Sequence, residues 1–176
     1  MAKTASPTLR EGHAAAMAVP TDLDRAGVEE IARSLRALLA DVFALYVKTK
    51  NFHWHLTGRH FRDYHLLLDE QGDQIFAMAD PIAERARKIG TPTIHSIGEI
   101  ARHQRLKDDD REAVPPAAMI AALCDDNRAF TRSLRSTHEI CERVGDVATA
   151  SLIEAWIDET ERRTWFLSEI ARDPAA

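Results

Sequence analysis

Residues 28–58 read VEEIARSLRALLADVFALYVKTKNFHWHLTG, and this stretch decides the fold. Val28, Ile31, Leu35, Leu38, Val42 and Leu45 recur at spacings of three and four, which puts them on one face of an α-helix. Phe52, His53 and Leu56 continue that face, and Gly58 ends it. A helix this long with a single apolar stripe buries it most readily against other helices of similar length.

The flanking sequence supplies those partners. A second helix is predicted from Phe61 to Lys88, carrying Tyr64, Leu67, Leu68, Ile75, Met78 and Ile82, with Gly90 and Pro92 at its end. From Thr91 to Pro116 no long stripe continues, although Ile94, Ile97 and Ile100 mark one short helix. A third helix follows the pair Pro115-Pro116, with Ile120, Leu123, Phe130, Leu134 and Cys141 on its stripe. Gly145 closes it, and Asp146 caps a fourth helix bearing Ala150, Ile153, Ile157 and Leu167. No segment alternates with period two, and no fixed repeat suggests a helical array. The expected fold is all-α: a ferritin-like four-helix bundle with a short extra helix in the long crossover between the second and third helices. Residues 1–21 are expected to form a flexible N-terminal tail, poor in periodicity, and residues 22–173 the bundle.

Composition sets limits. The chain has 176 residues, 29% charged and 45% apolar, enough for one domain with its own core. A net charge of -5 does not draw the chain as a whole to nucleic acid. On one helix Cys124 and Cys141 would lie about 25 Å apart, too far to bond, and neither belongs to a zinc-ligand spacing; they read as buried free thiols in a reducing cytoplasm. The apolar stretch Ala14–Val19 is too short for a signal peptide or a membrane span, so a cytoplasmic protein is expected.

The predicted second helix carries the chemistry. His65 with Asp69, and Asp80 with Glu84, are both i, i+4 pairs. On a regular helix the four fall at roughly 0°, 40°, 60° and 100°, so they share one stripe. His65 and Glu84 are nevertheless about 28 Å apart along the axis and cannot meet on one ion. The stripe closes on a metal only when a second copy runs antiparallel across it, with a two-fold axis near Gln74 and Ile75 and two identical sites per dimer. Gly72 would then allow close approach near the axis. His53 could add an imidazole, and the mixed donor set suits iron, manganese or zinc. Against this stand two objections: such pairs usually line solvated helix faces, and Asp80-Pro81 is also a signature of a new helix start. A diiron centre inside one bundle would need Glu-x-x-His on two helices, and the sequence has none.

Lys50-Asn51-Phe52-His53-Trp54, Gly58, His65-x-x-x-Asp69-Glu70 and Asp80-x-x-x-Glu84-Arg85 together resemble the signature of the Dps proteins, the mini-ferritins, over residues 22 to 172. The resemblance implies a hollow homododecamer with ferroxidase sites at its two-fold interfaces. Each site would hold one or two iron ions on His53, His65 and Asp69 of one subunit and Asp80 and Glu84 of its partner. It also implies ferrous iron and hydrogen peroxide as substrates, ferric mineral in the cavity, and Trp54 as an aromatic neighbour that donates an electron or simply packs. Three departures stand out. The tail offers only Lys3 and Arg10 against Glu11 where many relatives are lysine-rich, which implies weak, salt-sensitive DNA binding. His55 stands where Asn is common, and Pro81 interrupts the second pair. Asp146, Glu154 and Asp158 are candidates to line an iron passage, though a solvated helix surface suits them as well. Competing readings are a DNA-compacting nucleoid protein with incidental iron binding, and a metal-free helical adaptor.

Overall fold

A computed structural model describes residues 19–172. Most of the expected N-terminal tail lies outside them. The described residues form six helices in order: α1 (Arg25–His55), α2 (Phe61–Phe76), α3 (Ala79–Lys88), α4 (Ile97–His103), α5 (Pro116–Val144) and α6 (Val147–Ala171). No strand occurs among the described residues.

The helix ends follow local chemistry. The Asp24 carboxylate accepts from Gly27 N at 2.9 Å and starts α1, a cap that stabilises by about 1 kcal/mol. α5 begins on Pro115-Pro116, where a missing N–H costs nothing. It ends at Gly145, whose φ of 82° lets Gly145 N and Asp146 N donate back to Glu142 O and Cys141 O. Asp146 then caps α6 by accepting from Thr149 N at 3.0 Å.

The second predicted helix is two helices. α2 stops at Phe76, and Met78 N donates to Ile75 O rather than to the carbonyl four residues back. Ala77 and Met78 keep right-handed helical angles, so α3 continues onward after a tightened turn. Pro81 explains the position of the break. In a helix interior it costs ~3 kcal/mol, but as the third residue of α3 it lacks only an N–H that would have had no helical partner. The cap is Met78; Asp80 sits in the first turn.

Ile31, Leu35, Leu38, Val42 and Leu45 of α1 are wholly buried with Leu68, Ile75, Ile82, Ile120, Leu123, Phe130, Leu134, Ile153 and Leu167. The sequence stripes therefore became the core, with Leu67 and Ile157 only partly covered. α1 packs against α2, α3, α4 and α5, and α5 packs against α6. The crossover is tied down by the buried Asp41 of α1. Its carboxylate accepts from Arg105 N at 2.6 Å, Nε at 2.8 Å and Nη2 at 2.6 Å. α4 itself buries no residue, and Ile97 is 83% exposed.

Candidate metal centre

α2 runs back along α1, so residues whose numbers sum to nearly the same value face each other: Lys50 with Asp69, His53 with His65, Tyr46 with Phe76. His53 is buried on the inner face of α1, and His65 is half-buried on α2. Their rings stack with centroids 3.8 Å apart. Each Nδ1 lies on the other residue's backbone carbonyl, His53 Nδ1 to His65 O at 2.9 Å and His65 Nδ1 to His53 O at 3.1 Å. A carbonyl only accepts, so both Nδ1 atoms carry the proton, and in the neutral rings both Nε2 atoms keep a lone pair. Phe61 covers the His65 ring at 5.0 Å. Two imidazoles are thus locked in the tautomer that a metal ion requires.

Asp69 lies 3.8 Å from His53 Nε2 through Oδ1. That same oxygen accepts from Lys50 Nζ at 2.5 Å. The hydrogen bond from Lys50, reinforced by its charge, holds the Asp69 carboxyl below the usual carboxylate value and raises the Lys50 ammonium. Lys50 opens the Lys50–Trp54 signature, but the sequence assigns it no role, although it stands three residues before His53 on the same helix face. A Cβ on Gly72 would fall 3.0 Å from Lys50 Cδ. The glycine therefore makes room for the chain's own lysine rather than lying open at an axis. Ile75 is likewise buried in its own core, whereas Asp73, Phe76 and Ala77 are exposed there.

Asp80 and Glu84 are elsewhere. Helical rise places Asp80 about 16 Å along from Asp69, beyond the span of one ion. Asp80 is exposed on the wall of a groove of about 480 Å³ lined by Leu39, Phe43, Phe76, Ile94 and Ile97. Glu84 is exposed and accepts from Lys88 Nζ at 2.9 Å. Arg85 anchors α3 to the start of α6, donating to Asp146 Oδ1 at 2.6 Å and Thr149 Oγ1 at 2.7 Å. Among the described residues of one chain, no three His, Cys, Asp or Glu side chains are grouped so as to hold a metal ion.

Trp54 is 65% exposed and lines a separate cavity of about 510 Å³ with Val47, Asn51 and the acidic run Asp108 to Asp110. His55 turns back to bond Asn51 O at 2.8 Å, capping the end of α1. Asp146 is 3% exposed and committed to its cap and to Arg85, so it cannot line a passage. Glu154 pairs with His138 at 3.0 Å, and Asp158 is exposed. Both cysteines are free on α5, as expected, but only Cys141 is buried and Cys124 is partly exposed; burial pushes the Cys141 thiol up to about 12.

A model of the ferritin-like domain matches residues 32–175. The chain is 32% identical to the DNA protection during starvation protein of Halobacterium salinarum, covering 82% of this chain and 78% of that one. It is 27% identical to DNA protection during starvation protein 1 of Deinococcus radiodurans, covering 86% and 73%. The structure of Dps from Thermosynechococcus elongatus superposes with a TM-score of 0.78 at 26% identity, over 81% of this chain and 90% of that chain.

The chain belongs to the Dps family of ferritin-like proteins.

In this Dps chain no described helix is long and apolar enough to cross a membrane. The imidazoles of His53 and His65 and the Asp69 carboxylate, 3.8 Å from His53 Nε2, are donor types that suit ferrous iron, although one chain does not gather the three around one ion.

Proposed function

We propose that this Dps-family protein is a ferroxidase that oxidises ferrous iron with hydrogen peroxide at sites shared between two antiparallel copies, and stores the ferric product in a shell of about twelve chains. The observation that carries the reading is the stacked His53–His65 pair. Two buried or half-buried rings with reciprocal Nδ1–carbonyl bonds present two Nε2 lone pairs, that of His53 lying 3.8 Å from Asp69. Core packing alone would not need both rings held in one tautomer.

Ferrous iron is the substrate. His53, His65 and Asp69 of one subunit would bind it, with Lys50 yielding the Asp69 oxygen as the ion arrives. Asp80 and Glu84 of the partner would complete the set, leaving coordination positions for the oxidant. Two ferrous ions give one electron each to one peroxide; with two protons the O–O bond breaks to two waters and two ferric ions remain. Because both electrons reach peroxide together, no hydroxyl radical is released. A second copy is supported by the groove beside Asp80, where Phe76 is 50% and Ile97 83% exposed. Apolar side chains this exposed at the wall of a concave groove mark a surface for association.

Protection of DNA would follow from removing peroxide and free ferrous iron rather than from coating. A net charge of -5 with two cations in the tail gives little counterion release. The test is anaerobic ferrous loading followed by peroxide titration with a spin trap present. We expect two irons consumed per peroxide and no trapped radical. A one-to-one stoichiometry with radical release would overturn the reading.

A further inference from the structure

Asp69 Oδ1 has two claimants. Lys50 Nζ donates to it at 2.5 Å, and it stands 3.8 Å from His53 Nε2, so an ion held between the imidazole and the carboxylate meets this same oxygen. An ammonium and a divalent cation on one oxygen lie on the order of 4 Å apart, and their repulsion at that separation exceeds the thermal energy even in water. Lys50 must therefore withdraw as the ion binds.

Its route is constrained. The Lys50 side chain is only 14% exposed, and its stem crosses Gly72 of α2, where a Cβ would fall 3.0 Å from Lys50 Cδ and 3.8 Å from Cγ. With the stem seated between α1 and α2, the ammonium moves by rotation about its last bonds, from one staggered position to another. Giving up Asp69 loses a charge-assisted hydrogen bond, which only a carboxylate close by can replace.

Asp73 meets that requirement. It follows Asp69 by four residues on α2, so the two carboxylates share one stripe with Cβ atoms about 6 Å apart. It also directly follows Gly72, the residue that the lysine stem crosses. Asp73 is exposed, and its carboxylate holds no other cation among the described residues. Its charge already acts on the ammonium. The Lys50 pKa is raised first by the hydrogen bond to Asp69, against a lowering by burial, and then by the charges of Asp69, Tyr46 and Asp73. Tyr46 is half-buried with its ring 4.9 Å from Phe76, and its uncharged hydroxyl is the weaker acceptor.

We propose that Asp73 is a positioning residue that receives Lys50 when a metal ion takes Asp69, so that the ammonium moves one helical turn along α2 and stays paired in both states. The hand-over rests on iron binding at His53, His65 and Asp69 as proposed above. Metal entry then exchanges one ion pair for another instead of breaking one, and Asp73 strengthens metal binding without touching the ion.

Crystals of the full chain with and without cobalt test it directly. Without metal, Lys50 Nζ should lie on Asp69. With cobalt located on the His53 and His65 rings by anomalous scattering, Nζ should lie within hydrogen-bonding distance of Asp73. Cobalt on the rings with Nζ still on Asp69, or on neither carboxylate, overturns the hand-over and leaves the iron site standing. No cobalt on the rings overturns the iron site, and the hand-over with it. In solution, Asp73→Asn should weaken cobalt binding by about threefold in calorimetry, and by clearly less in a Lys50→Met background. Asp73 also attracts the ion directly in both backgrounds, so the coupling between positions 50 and 73 is what reports the hand-over. Asp73→Glu, which keeps the carboxylate, should restore native affinity. Equal losses in the two backgrounds would sink the idea.

Discussion

His53 and His65 are fixed by their own chain: stacked on each other, bonded through both Nδ1 atoms, and covered by Phe61. Asp80 and Glu84 are not. They lie on the exposed side of α3, where Glu84 has only the equally exposed Lys88 for company among the described residues. The chain thus finishes the imidazole half of the proposed iron site and leaves the carboxylate half for another copy to use. The contrast also separates what each half should tolerate. Changes at the histidines disturb a packed corner, whereas changes at the carboxylates leave the monomer fold untouched.

The strongest challenge to this division is to block pairing. Placing carboxylates in the groove with Phe76→Asp and Ile97→Asp should dissolve the assembly and slow peroxide-driven oxidation by at least roughly 100-fold, with helicity preserved, because both side chains are already exposed in the monomer. Sedimentation and circular dichroism read the two effects; a full-sized active assembly would refute the shared site. Next comes complementation. His65→Ala and Glu84→Ala chains should each lose roughly 100-fold in rate. When the two are refolded together, half of the pairs are mixed and each mixed pair has one intact site, so about a quarter of native activity should return. No recovery would mean that both halves act within one chain.

A smaller effect is expected at Lys50, which competes with the ion for Asp69. Lys50→Met should tighten anaerobic ferrous or cobalt binding by about tenfold in calorimetry, since an ammonium no longer has to leave. The pair also sets a pH window. Asp69 titrates lower folded than unfolded, so its contribution is present above the unfolded carboxylate value and lost as acid passes the folded one. Lys50 titrates higher folded, so its contribution is complete below the unfolded ammonium value and lost as pH rises through the folded one. The melting difference between native and Lys50→Met chains should therefore be flat from about pH 5 to about pH 9 and shrink outside that range. The smallest expected change concerns the closed α5–α6 side: Cys141 should resist iodoacetamide at pH 8 until the chain is denatured, because burial holds its thiol near a pKa of about 12. Mass spectrometry of the alkylated protein decides it.

Much of this was legible in the sequence. Periodicity from Val28 to Leu45 needs no knowledge of partners, because the 3.6-residue repeat alone sorts inside from outside, and those residues are the core. Pro115-Pro116, Gly145 and Asp146 mark helix ends through effects local to a few residues, and each performs as read. The spacing His65, Asp69, Asp80, Glu84 was visible for the same reason. Misreadings arose wherever a distant residue decided the outcome. Gly72 accommodates the stem of Lys50 from another helix, and Asp146 spends its carboxylate on Arg85 as well as on its cap. Pro81, by contrast, is a local signal that the sequence showed: the break falls where Pro81 takes the third position of α3.

By itself, then, the sequence determined the helices, their buried faces and the list of donor groups, since these depend on backbone geometry and near neighbours. Only the tertiary structure decided which donors share a corner, which tautomer His53 and His65 hold, and that Lys50 occupies the Asp69 oxygen. Those outcomes depend on side chains brought together across helices, and no spacing along a chain encodes the angle at which two helices meet.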